Sequence, residues 1–328
     1  MPLTQAEDRS LHYLQLPSDS GSEADHLVMV HGLAASMGFW YFNVAPKLSR
    51  AFHVTLYDLS GHGRSRMPQR KYAPQQMAED LAHLLDSLNI KRAHIIGHSY
   101  GGLIALHLAR RHPERVISLT VADSQLSSVR KLGHPWEQGQ KITNFLRQRG
   151  IDFDEKDPYF GYNMLKEAAK LQVADRQGEM DALREWVHPF IGRSGKRSAR
   201  QWLRLVETTD AESDFLKADK LTDSVLKKIT VPTLAVYGER SQAIESGKKL
   251  AELLPGAELK IIPRAGHFFP VSKPRALLAA WVPFVRKFTR LQHFDHEGLL
   301  SDNHSGGMGE KLSPARLGGG LHARLNRR

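Results

Sequence analysis

Short, mostly apolar runs alternate along the chain with longer stretches in which apolar residues recur every three or four positions. Residues 27–30, 52–57, 93–96, 116–122, 233–237 and 259–262 are runs of the first kind, and residues 11–16 read as an earlier strand. Strands that are apolar on both faces suit a parallel sheet covered by helices on either side. Residues 74–88 place Met77, Leu81, Leu84, Leu85 and Leu88 on one face of a helix, and 103–109, 244–254 and 274–288 follow the same period. This alternation predicts an α/β fold with a mostly parallel central sheet flanked by helices.

The alternation breaks between residues 124 and 228, which are charged and helix-patterned and include Trp136, Tyr159, Phe160, Tyr162, Trp186, Phe190 and Trp202. An insertion of that length between two strands predicts a helical cap, since loops so long without structure of their own are uncommon. The expected organisation is a core in two parts, 1–123 and 229–291, a cap at 124–228, and a tail at 292–328. The tail lacks apolar periodicity and carries Gly318-Gly319-Gly320 and a basic end, so it reads as disordered.

One of the apolar runs ends in Gly97-His98-Ser99-Tyr100-Gly101, followed by a helical pattern. This is a G-x-S-x-G turn in the strand-to-helix setting that the motif requires. A turn so sharp leaves no room for side chains at Gly97 or Gly101, and it holds the Ser99 hydroxyl exposed in a strained backbone. The helix beginning beneath it favours negative charge developing nearby. A serine hydroxyl needs a base, and His267, on a loop between the last strand and helix, is the candidate. His98 reads as a packing residue.

From about residue 11 to residue 290 the chain resembles the α/β-hydrolase family, in the capped branch of esterases, thioesterases and carbon–carbon hydrolases. Besides the Ser99 turn, His31-Gly32-Leu33 resembles the family's oxyanion loop. Asp58, Gly61, Gly63 and Ser65 resemble its D-x-x-G-x-G-x-S turn, and Gly266-His267 resembles the position of its catalytic histidine. The resemblance implies an oxyanion hole from the backbone N–H groups of Leu33 and Tyr100, with His31 shaping the loop.

The acid departs from the family pattern. Where G-x-x-D is usual, the chain reads Gly238-Glu239-Arg240-Ser241, and serine cannot hold a negative charge against an imidazolium. Asp123, ending the strand after the nucleophile helix, is the first choice and keeps the chain order serine, acid, histidine. Glu239 is the alternative acid, and a chain with no acid is the remaining case.

The sequence thus points to a serine hydrolase that cleaves a carboxylic ester or thioester through an acyl-enzyme, with Ser99 as nucleophile, His267 as base and no cofactor or metal. Acyl transfer and carbon–carbon bond hydrolysis use the same machinery, and a non-catalytic binding protein is the alternative that Ser241 suggests. Aromatic residues of the cap would wall an apolar pocket for a small-molecule acyl substrate. The absence of cysteine excludes disulfides, thiolate zinc sites and cysteine nucleophiles. A formal charge of +11 is spread along the chain without a nucleic-acid motif, so it reads first as a solvated basic surface, with attraction to an acidic carrier protein or an anionic membrane surface as the sharper alternative and no nucleic acid as partner. No signal-like or transmembrane stretch is visible, which leads to the expectation of a cytoplasmic protein.

Overall fold

A computed structural model describes residues 3–6, 9–130, 137–152, 154, 156–183, 187–192 and 194–289. Trp136, Trp186 and the tail from 292 lie outside these residues. The strands are β1 (Leu3–Ala6), β2 (Arg9–Leu16), β3 (His26–Val30), β4 (His53–Tyr57), β5 (Ala93–His98), β6 (Val116–Ala122), β7 (Thr233–Gly238) and β8 (Glu258–Ile262). They form one sheet in the order β1-β2-β4-β3-β5-β6-β7-β8. β1 and β2 run antiparallel to each other, and β2 is antiparallel to β4, while every pairing from β4 onward is parallel.

The longer helices are α1 (Pro74–Ser87), α2 (Tyr100–Arg111), α3 (Glu137–Arg147), α4 (Phe160–Val173), α5 (Gly195–Thr208), α6 (Ala211–Leu216), α7 (Ile244–Leu253) and α8 (Pro274–Val285). Among the described residues, none is long and apolar enough to cross a membrane.

Two apolar layers follow from the side-chain alternation of the strands. Val28, Val30, Ile95, Leu119, Val121, Ala235 and Tyr237 face α1, α2 and α7, whose packing residues include Met77, Leu81, Ile104 and Leu250. Leu27, Met29, Val54, Leu56, Ile96, Leu234 and Val236 face the other way, against Trp281 and Val282 of α8 and the short turns holding Trp40 and Leu48. The central strands are therefore buried on both faces, as their apolar runs predict. β8 differs, with Lys260 and Ile261 exposed at the sheet edge. A lysine there discourages pairing with another chain.

Residues between β6 and β7 supply α3 to α6. Their apolar faces join the first layer: Phe160, Trp202, Leu205 and Phe215 pack with the core, and the Trp202 and Phe215 rings stack at 5.8 Å. Truncating a residue as buried as Trp202 typically costs about 3–5 kcal/mol.

The D-x-x-G-x-G-x-S turn is a buried bracket rather than a reaction centre. The Asp58 carboxylate accepts from His12 Nδ1 at 2.8 Å, Met37 N–H at 2.8 Å and Arg64 N–H at 2.9 Å. The Ser65 hydroxyl donates to the Asp58 carbonyl at 2.5 Å and accepts from His12 N–H at 2.9 Å. One carboxylate thereby ties β2, the loop after β3 and the loop after β4 together beneath the site.

Candidate active site

The loops at the carboxyl ends of β3, β5, β6, β7 and β8 converge over the sheet, where ligands bind in open α/β folds. Ser99 sits between β5 and α2 with φ 55° and ψ −123°, a left-handed conformation that costs a non-glycine residue on the order of 1–3 kcal/mol. The flanking glycines allow it. A Cβ at Gly97 would collide with the Gly101 carbonyl, and one at Gly101 would lie 2.5 Å from the Val30 carbonyl oxygen. The Ser99 carbonyl accepts from Gly102 N–H at 3.0 Å and from the Ser124 hydroxyl at 2.7 Å, which fixes the turn from both sides.

From this turn the Ser99 hydroxyl donates to His267 Nε2 at 3.1 Å, and His267 Nδ1 donates to Asp123 Oδ1 at 2.9 Å. A carboxylate can only accept, so the proton belongs on Nδ1 and leaves Nε2 free to take the hydroxyl's. The Asp123 side chain is fully buried, whereas that of His267 is 26% exposed. Asp123 is itself held at φ 55°, and its other oxygen accepts from Gly238 N–H at 2.8 Å.

Ser241, standing where the family pattern has its aspartate, donates its hydroxyl to Asp123 Oδ1, the same oxygen that meets His267. It also accepts from Ala243 N–H at 3.1 Å. Glu239 is elsewhere: its exposed carboxylate accepts from Arg264 N–H at 2.7 Å and braces the loop that leads to His267.

His98 Nε2 donates to the His267 carbonyl at 2.9 Å, and its ring stacks on Phe39 at 4.6 Å. It thus holds the loop that carries the imidazole. His31 shapes its own loop, donating through Nδ1 to the Gly32 carbonyl at 2.8 Å and accepting through Nε2 from Leu59 N–H at 3.0 Å. Gly32 passes so close to Ser99 that a Cβ there would lie 2.8 Å from the Ser99 Cβ. Leu33 and Tyr100 line the cavity beside Ser99, and Tyr100 opens α2.

That cavity measures about 150 Å³, a size that elsewhere admits a benzene ring. Phe160, Tyr162, Met164 and Leu165 of α4, together with Phe215 of α6, face Ser99 and His267 across it. Phe160 and Tyr162 were legible as candidates from their place in the insertion. Phe215, Gln125 and Gln242 were not, because nothing in their spacing sets them apart.

Burial keeps several histidines near the site neutral. Desolvation, and next the His267 imidazole, push the His98 pKa well below its usual value. Burial lowers His31 as well, and burial followed by repulsion from His31 lowers His62 to about 3. The unfolded chain protonates such rings near 6.5, so below that pH it binds protons that the folded protein refuses, and stability is lost as the pH falls. Thermal denaturation is therefore expected at a lower Tm at about pH 5 than at about pH 7.5. Equal midpoints would count against these rings being held neutral.

A family profile described as the alpha/beta hydrolase fold matches residues 25–274. A protein of Azorhizobium caulinodans that bears the name carbamate hydrolase RutD is 36% identical over 271 residues, covering 79% of this chain and 94% of its own. The pimeloyl-[acyl-carrier protein] methyl ester esterase of Nitrosomonas europaea is 27% identical over 261 residues, covering 78% and 93%. A solved structure of Est816, an N-acyl homoserine lactone degrading enzyme, superposes with a TM-score of 0.58 at 25% identity, covering 88% of this chain and 100% of that one. The chain belongs to the α/β-hydrolase family and is a hydrolase.

Proposed function

We propose that the chain hydrolyses a carboxylic ester or thioester through an acyl-enzyme formed on Ser99. The observation that carries this reading is the unbroken hydrogen-bonded line from the Ser99 hydroxyl through His267 to Asp123. His267 Nε2 takes the hydroxyl proton as Ser99 Oγ attacks the carbonyl carbon. Asp123 holds the imidazole in the required tautomer and stabilises its positive charge.

The developing oxyanion is received by the amides of Leu33 and Tyr100, with α2 behind them contributing its positive end. Loss of one such donor typically costs about 100- to 1,000-fold in rate. His267 then returns the proton to the leaving alcohol or thiol, and a water molecule activated in the same way releases the acid. Esters and thioesters borne by an acidic carrier protein fall within this reading, given the basic charge of the chain and its likeness to an esterase that acts on a carrier-bound acyl group.

A fluorophosphonate probe tests the nucleophile directly. Intact-mass analysis and peptide mapping are expected to find a single phosphonyl adduct on Ser99, formed at wild-type protein and absent from Ser99→Ala. Active protein that carries no adduct at Ser99 would overturn the assignment.

A further inference from the structure

We propose that Gln125 and Gln242 set the substrate class of the site: acyl groups bearing an uncharged hydrogen-bonding substituent (a hydroxyl, ketone or amide) beyond the carbonyl that Ser99 attacks. This inference rests on the nucleophile reading given above.

Most polar side chains that line the cavity already have partners. The Ser127 hydroxyl donates to Asp219 at 2.9 Å, and the same carboxylate accepts from Ser127 N–H at 2.7 Å and Leu221 N–H at 2.9 Å. Lys217 pairs with Asp214 at 3.0 Å and is 63% exposed. The Tyr162 hydroxyl donates to Glu212 at 2.9 Å. Gln125 and Gln242 also line the cavity, half-buried, and neither side chain makes a hydrogen bond with any described residue. Their neighbours across the cavity are largely apolar.

Gln125 lies two residues after Asp123, and Gln242 directly follows Ser241, so both carboxamides hang from the loops that seat the acid. Gln242 Nε2 lies against the first turn of α4, 2.8 Å from where a Cβ at Gly161 would stand. While the cavity holds water, both amides are solvated. An acyl chain that displaces this water leaves them without partners unless it brings its own, and an unmet amide weakens binding by about tenfold.

Each carboxamide is neutral and presents donors and an acceptor together, which suits a hydroxyl, ketone or amide. A carboxylate-bearing acyl chain fits less well, because the lining ammonium, Lys217, already has a counter-ion.

The test compares kcat/KM for a straight-chain p-nitrophenyl ester with esters of equal length bearing a hydroxyl or oxo group at successive carbons. Wild-type protein is expected to prefer at least one substituted ester by about tenfold, the worth of one net hydrogen bond. Gln125→Leu or Gln242→Leu should erase that preference. Gly161→Ala, a helix-compatible change that displaces the Gln242 amide, should shrink it part-way. Absence of any preference in wild-type protein, or a preference that survives in both leucine variants, overturns the proposal. Ser99→Ala is run beside them. If it still hydrolyses the esters, the nucleophile reading falls and takes this inference with it, whereas an inactive Ser99→Ala alongside an unaltered preference overturns the carboxamide assignment alone.

Discussion

Ser99→Ala is expected to lower kcat for ester hydrolysis by about a million-fold, His267→Ala by as much, and the double variant no further than either. The reason lies in the 3.1 Å bond between the two side chains. On the proposed mechanism the hydroxyl is a weak nucleophile until its proton leaves, and the imidazole has nothing to accept once the hydroxyl is gone, so the pair would act as one unit. What survives should be the contribution of the amides proposed for the oxyanion and of substrate binding, neither of which needs the two side chains. Rates measured on one activated ester for all four proteins decide the matter. Losses that multiply in the double variant would mean that the residues act independently, contrary to a shared proton transfer.

Asp123→Asn is expected to lower kcat by about 10,000-fold with little change in KM. Asparagine would present an N–H to His267 Nδ1, force the ring proton onto Nε2, and aim it at the hydroxyl that must instead be deprotonated. Glu239→Gln should change the rate far less, since Glu239 meets Arg264 N–H rather than the imidazole.

Ser241 offers a sharper form of the same test. Its hydroxyl touches the Asp123 oxygen that faces His267, so an aspartate at 241 would carry its carboxylate into nearly the same place. In Asp123→Gly with Ser241→Asp, glycine suits the φ of 55° at 123 and clears the space. That double variant should recover part of the roughly 10,000-fold loss. Near-wild-type turnover by Asp123→Asn would remove the carboxylate from the reaction.

These residues differ in how openly the chain displays them. The Ser99 turn is legible because its chemistry is local: strand, two glycines and helix must follow in immediate succession, and that succession is written in consecutive residues. His267 is nearly as legible, since it occupies a defined place between the last strand and the last long helix. The apolar runs that announce β3 to β7 are equally local, as burial on both faces demands apolar residues throughout. By contrast, β1 is short and polar, with Thr4 and Gln5 at its centre, and it exists through its pairing with β2.

Motifs rank the carboxylate behind His267 without fixing it: Asp123 comes first, and Glu239 or no acid at all stay open. Their placement depends on how β6 and β7 lie side by side. Ala122 pairs with Val236, and this register brings the residue after β6 under the loop after β7 and beside His267, while Glu239 turns away toward Arg264. The wall of the cavity is settled in the same long-range manner, by an insertion whose α4 and α6 pack back onto the core and bring Phe160 and Phe215 opposite Ser99. Covalent neighbours and periodic burial are properties that a chain carries along its length. Contacts between segments separated by more than a hundred residues, such as Asp123 with His267, arise when the sheet is assembled and the layers close over it.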